Sequence, residues 1–116
     1  MTHYLTELYT PKPAWLALDL DARRQFFAAV GAGMSELSAL GVEAIALGET
    51  NATKLHAASQ QFFAIWQAPD EAAIDALISG IATSGWHDYF ETINASGAGD
   101  DLNGHLSQLA ALNHSD

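Results

Sequence analysis

Residues Gln60 to Ala68, Gln-Gln-Phe-Phe-Ala-Ile-Trp-Gln-Ala, constrain this chain more than any other stretch, because they read as a strand that is apolar on both faces. Successive strand side chains point to opposite sides, so Phe62 and Trp66 look one way while Phe63 and Ile65 look the other. A single layer of helices covers only one side. The other side then meets a second copy of the protein or encloses a ligand cavity. Directly afterwards Asp70 precedes Ile74, Leu77, Ile78 and Ile81, which keep the i, i+3, i+4, i+7 spacing of an amphipathic helix.

The remaining elements follow from the same kind of reading. Tyr4 to Tyr9 is a β-favouring run halted at Pro11-Lys12-Pro13, where two fixed φ angles interrupt a ladder. Asp19 or Asp21 caps a helix whose Phe26, Phe27, Val30, Met34, Leu37 and Leu40 form one stripe. Gly41 followed by Val42 marks its left-handed terminus. Val42 to Leu47 is predicted as a second strand with Glu43, Ile45 and Leu47 on one side, and Glu43 points to a sheet edge. The stretch from Gly48 to Ser59 is a loop long enough to bind something. His87 to Ala95 is predicted as a fourth strand, with Tyr89, Glu91 and Ile93 on one face and Phe90 and Thr92 on the other. A last segment, capped by Asp100 or Asp101, aligns Leu102, Leu106, Leu109 and Leu112 and needs a partner surface, since short isolated helices are marginal in water.

Strand, helix, strand, strand, helix, strand gives an α+β chain. With right-handed crossovers it forms a four-stranded antiparallel sheet with both long helices on one face, the ferredoxin-like βαββαβ arrangement. The first and third strands become the central pair. One domain over residues 1–116 is expected, with its core at 4–95 and a helical tail at 100–113; a length of 116 residues and 49% hydrophobic content are ample for a single core.

Charge and composition remove several function classes. Four Lys and Arg stand against 14 Asp and Glu, a net charge of -10 that repels phosphate backbones and anionic lipid, so neither nucleic acid nor a membrane is an expected partner. The absence of cysteine excludes disulfides, thiolate nucleophiles and the common structural zinc sites. No run reaches the ~18 apolar residues of a membrane span, and the N-terminus carries no secretory pattern, which makes the cytoplasm the expected compartment. No two histidines stand at i, i+4, so no helical metal pair is expected. Gly31-Ala32-Gly33 lies within a helical pattern and follows no strand, which is not the setting of a dinucleotide loop.

Element order, the doubly apolar strand through Phe62 and Trp66, and the Gly85-Trp86-His87 approach to the fourth strand together resemble the dimeric α/β-barrel superfamily over about Tyr4 to Ala95. Within it the likeness is to an uncharacterised family. The resemblance implies a homodimer through the sheet face. It also implies a mostly apolar pocket between helices and sheet for a small aromatic or polyketide-like molecule. Cofactor-free monooxygenases and isomerases belong to that superfamily, and so do heme proteins. On this reading His87 or His56 is the base, while Trp66, Trp15 and Tyr9 shape the pocket. A noncatalytic interaction protein is the competing reading, and heme, requiring an axial histidine, the third.

Individual residues support these readings to different degrees. His87 neighbours Trp86, Asp88 and Tyr89, so an imidazole, a carboxylate and a phenol fall within four positions; a solvated loop histidine is the simpler account. His56 sits in the long loop, and His3 and His114 near the termini are expected to face solvent. Glu7 shares a strand face with Leu5 and Tyr9, and Glu91 one with Tyr89 and Ile93, so burial would demand a partner or a raised pKa, and either outcome makes the carboxylate a candidate site residue, with Glu7 joining His87 and His56 as a candidate catalytic group. Arg23 borders the helical stripe and could pair with either carboxylate or recognise an acidic ligand. Trp86 and Tyr89 add flat walls with polar tips, as suited to plain core as to an aromatic ligand.

Overall fold

In the computed structural model, which describes residues 1–113, β1 (His3–Pro11) runs past Tyr9 into the first proline, and Pro13 opens the four-residue helix α1 (Pro13–Leu16). Proline suits the first helical position because its missing N–H would be unsatisfied there anyway. His114 lies outside the described residues. Asp19 caps α2 (Leu20–Ala39) by accepting a hydrogen bond from Ala22 N–H. The helix ends in a Schellman pair, Gly41 N–H to the Ser38 carbonyl and Val42 N–H to the Leu37 carbonyl, with Gly41 at φ 88°. Val42 turns straight into the core at 3% exposure.

The sheet order is β2-β3-β1-β4, with β2 at Glu43–Glu49, β3 at Phe62–Ala68 and β4 at Phe90–Ala98, all neighbours antiparallel. The two strands richest in aromatic residues, β1 and β3, are therefore central, and β2 with Glu43 and β4 with Glu91 are the edges. Asp70 caps α3 (Glu71–Thr83) through Ala73 N–H. On the helix-facing side Leu5, Val42, Ala68, Ala73, Ile74 and Leu77 form the core, joined by Leu37, Trp66, Ile78 and Ile81. Leu5 and Leu77 are fully buried, and each such burial stabilises by about 1.5–3 kcal/mol.

Two sequence expectations need correction. The fourth strand starts at Phe90 rather than His87, because Gly85 at φ 87° turns the chain and Trp86–Tyr89 coils into a short helix, α4. Tyr89 therefore does not share a strand face with Glu91 and Ile93, and Glu91 is exposed opposite Thr10. In β2 the register slips between Ala44 and Ala46, so the single alternation read for Glu43, Ile45 and Leu47 breaks at Ile45. Glu43, beside Gln67, faces away from the helices, whereas Leu47, beside Ala64, faces towards them.

Gly41 gives a direct test of the α2–β2 corner. A Cβ there would sit 2.9 Å from Pro69 Cδ in a left-handed conformation. Gly41→Ala is expected to destabilise the chain by about 1–3 kcal/mol, read from urea unfolding midpoints. An unchanged midpoint would show that the corner relaxes freely.

Candidate active site

Register places the chemistry. Leu5, Glu7 and Tyr9 project from β1 towards the helices, flanked by Ala64 and Phe62 of β3 and by Asn94 and Thr92 of β4. Glu7 is the buried charged residue of the core side, only 3% exposed. Its Oε1 accepts a hydrogen bond of 2.7 Å from Trp66 Nε1. Burial pushes the Glu7 carboxyl above the usual carboxylate value, and the indole N–H pulls only partly against that shift. Tyr9 is raised as well, first by burial and then by the charge of Glu7.

An aromatic cluster continues from this pair. Tyr9 stacks near Phe62 at 5.9 Å and meets Trp86 and Phe90 edge-on at 5.2 and 5.8 Å. Trp86 and Phe90 lie 4.1 Å apart and nearly parallel, and Trp86 Nε1 donates to Thr92 Oγ1 at 3.3 Å. Phe90 reaches Trp15, which also touches Phe26, Phe27 and Tyr89. Arg23 lies over the Trp15 ring at 5.6 Å and donates to the carbonyls of Trp15 and Leu16. The expected pairing of Arg23 with Glu7 or Glu91 is therefore corrected: its guanidinium is spent fastening α1 to α2.

The residues singled out from sequence thus divide into two groups. Glu7, Tyr9, Trp15, Arg23, Trp66, Trp86 and Tyr89 form one continuous assembly on the helix-facing side. His87 and His56 are exposed, His87 on α4 with its carbonyl taken by Lys12 Nζ, and His56 in the long loop at φ 57°. What sequence reading missed is the closeness of Trp86 to Phe90 and its bond to Thr92. Both depend on Trp86–Tyr89 being helical, and the signal for that was Gly85 ahead of a tryptophan.

The β2 side of this surface is thinly covered. Leu47 faces the helices yet is 57% exposed, and no residue of α2 is buried. Trp66, on β3, stands between Glu7 and that open flank. A cleft of about 400 Å³ lies at the end of β3 and the β2–β3 loop, lined by Glu49, Thr50, Ser59, Gln61 and Phe62 among others. Phe62 is thus shared between the cleft and the Tyr9 stack, and Thr50 Oγ1 in the cleft wall is buried with no hydrogen-bond partner. A second cleft of about 240 Å³ includes His3, Glu71 and Asp75.

Solved structures with this architecture give the fold a context. A mutant chlorite dismutase from Candidatus Nitrospira defluvii aligns at 11% identity over 99% of this chain and 50% of its own, with a TM-score of 0.63. A DABB family protein with a ferredoxin-like fold from Mesorhizobium loti aligns at 17% identity over 86% of this chain and 98% of its own, TM-score 0.54. A dimeric ferredoxin-like protein of unknown function from Thermobifida fusca aligns at 13% identity over 84% of this chain and 91% of its own, TM-score 0.52. A putative chlorite dismutase shows 15% identity and a TM-score of 0.55, with 39% of its length covered. This chain spans half or less of the chlorite dismutases, and at these identities the likeness is one of fold. Comparison with curated proteins gave no match. The family of unknown function DUF6616 matches residues 2–112, nearly the whole chain. The expectation of an uncharacterised family with a ferredoxin-like fold therefore holds, and the chain belongs to DUF6616.

Proposed function

We propose that this protein is a homodimer, joined through the open face of its sheet, that binds a small hydroxylated aromatic molecule against the Tyr9 cluster and exchanges a proton with it through Glu7. The observation carrying this reading is a glutamate buried among Leu5, Tyr9 and Trp66 whose hydrogen bond comes from a neutral indole. Burying a carboxylate is costly, and a fold needing only structure would gain from an apolar residue there. When ionised, Glu7 is a stronger base than an ordinary glutamate, because its proton is held more tightly. Isomerisation and cofactor-free oxidation of a phenol both begin by removing a proton, so one base serves either. Of the three candidate catalytic groups, His87, His56 and Glu7, this reading takes Glu7 as the base. The fold of the similar structures, two of them described as dimeric or DABB proteins, supports the face-to-face homodimer.

Among the described residues, the histidines fit a heme reading poorly. That reading needs a histidine aimed into an enclosed apolar space. His56 and His87 are exposed, His105 is exposed and bonded to Gln108, and His3 borders a cleft of about 240 Å³, below the ~300 Å³ at which ligand pockets begin.

The test is a titration with 1-naphthol and with a dihydroxynaphthalene, following tryptophan fluorescence and dissolved oxygen. Binding should quench the emission of Trp66 and Trp86 saturably, and turnover should consume oxygen or shift the ligand's absorbance. No saturable change with either ligand up to millimolar concentration would overturn the proposal.

A further inference from the structure

The chain exposes far more surface than its size warrants. Its accessible area is 7965 Å², whereas a folded monomer of 12.3 kDa exposes about 6,100 Å², an excess of roughly 1,900 Å². Its radius of gyration, 16.6 Å, likewise exceeds the ~13 Å of a compact domain of this length. Two apolar faces contribute to it. One is the open sheet face with Tyr4, Leu8, Phe63, Ile65 and Ile93, of which Ile93 is 56% exposed. The other is α5 (Leu102–Ala110), well capped by Asp101 through Gly104 N–H, with Leu102, Leu106 and Leu109 along one side at 71, 50 and 52% exposure.

The chain passes from one to the other beside Tyr4. Gly99 N–H donates to the Thr2 carbonyl at 2.9 Å, and a Cβ on Gly99 would overlap the Tyr4 ring, so the chain leaves β4 pressed against a residue of the open face. The helix then projects beyond the sheet, in no more than glancing contact with the other elements of its own chain. Four strands of seven to nine residues offer a partner a flat footprint of roughly 500 Å². A nine-residue helix face adds roughly 140 Å² to that footprint.

We infer that α5 is an exchanged arm, whose leucine side docks on a second copy of this chain and extends the contact between the two sheets. The inference rests on the face-to-face dimer proposed above. It explains a helix of nine residues with an apolar stripe and nothing of its own to cover, which would be marginal by itself. The leucine stripe carries no charged residue, so it adds contact without adding to the repulsion between two chains of net charge -10.

Sedimentation velocity on the full chain, with hydrogen exchange of the α5 amides, tests it. The variants are Leu106→Gln with Leu109→Gln, which keeps helix propensity at exposed positions, and Ile65→Asp on the sheet face. Wild type should sediment as a dimer with protected α5 amides, and the double variant should raise the dimer Kd at least ~100-fold while losing that protection. A double variant that dimerises as tightly as wild type, while Ile65→Asp does not dimerise, overturns the arm and leaves the sheet dimer standing. Wild type sedimenting as a 12.3 kDa monomer overturns the dimer itself and the arm with it. Amides of α5 that stay protected in an Ile65→Asp monomer would show that the helix folds back on its own sheet, which also overturns the exchange.

Discussion

Trp15→Ala is expected to destabilise the fold by about 3–5 kcal/mol, the largest effect of any single truncation on the helix side. At this chain length that corresponds to a Tm lower by roughly 15–25 °C. The reason is where Trp15 stands. A four-residue helix has no stability of its own, so besides the Arg23 bonds α1 depends on a ring that touches Phe26, Phe27, Tyr89 and Phe90 at centroid distances between 4.8 and 5.6 Å. The same ring receives the Arg23 guanidinium, which at exposed sites contributes about 0.5–1 kcal/mol. Removing the ring leaves four aromatic neighbours facing a void, and the surrounding backbone has α2, α4 and β4 to move before it can close. Trp15→Phe, which keeps most of the apolar contact, should cost about 1–2 kcal/mol. A loss below 1 kcal/mol for Trp15→Ala would show that α1 is not an anchor and that the aromatic assembly is held from elsewhere.

Sequence periodicity read this fold well where a single rule governed the residue. Asp19 and Asp70 cap because a carboxylate ahead of an apolar stripe has one efficient use, and Gly41 is left-handed because nothing else follows a helix so cheaply. The doubly apolar β3 located itself between two neighbours, and it was its second dry face that led to the expectation of a dimer. Reading failed where two rules competed. Trp86-His87-Asp88-Tyr89 alternates plausibly as a strand, yet a left-handed Gly85 and the Asp88 N–H bond to the Gly85 carbonyl coil it first. The β2 bulge has no sequence signature, since Ala44, Ile45 and Ala46 fit either phase.

The site was legible in part, for the same reason. Alternation alone put Glu7 with Leu5 and Tyr9, and the question it raised, what a carboxylate does on an apolar face, was the right one. Its answer was not in the sequence, because Trp66 is 59 residues away and reaches Glu7 only through the β1–β3 register. Arg23 shows the converse. Its sequence neighbours made a carboxylate pair attractive, but the guanidinium reaches the Trp15 and Leu16 carbonyls at 3.3 Å instead, adding to the Leu18 N–H that the Trp15 carbonyl already receives. His56 and His87 are chemically versatile, yet their exposure separates them from the buried assembly.

Glu7→Gln separates the chemical role of this carboxylate from its structural one. A glutamine oxygen still accepts the Trp66 N–H bond, so the ring arrangement should persist, while the base is gone. Turnover, or ligand absorbance change, should fall by about 10²–10⁴-fold, the usual contribution of a positioned general base. Binding of an aromatic ligand should change far less, because the rings and not the carboxylate supply most of the contact. Stability carries an independent signature whose sign follows from the raised pKa. The folded chain holds the Glu7 proton more tightly than the unfolded chain does, so protonated Glu7 favours folding at pH below the ordinary carboxylate value of 4.5. As pH rises through that value towards the raised one, the unfolded chain loses its proton first and stability falls. Above the raised value the loss is complete and the profile flattens. Subtracting the Glu7→Gln profile from that of wild type, both from urea unfolding between pH 4 and pH 9, removes the other carboxylates and should leave this one descending step. Tryptophan fluorescence should follow the same step in wild type and show none in the variant, since Trp66 bonds the group that titrates. A flat difference profile would mean that Glu7 titrates like an exposed glutamate, and with it the case for a buried proton-exchanging group would fail.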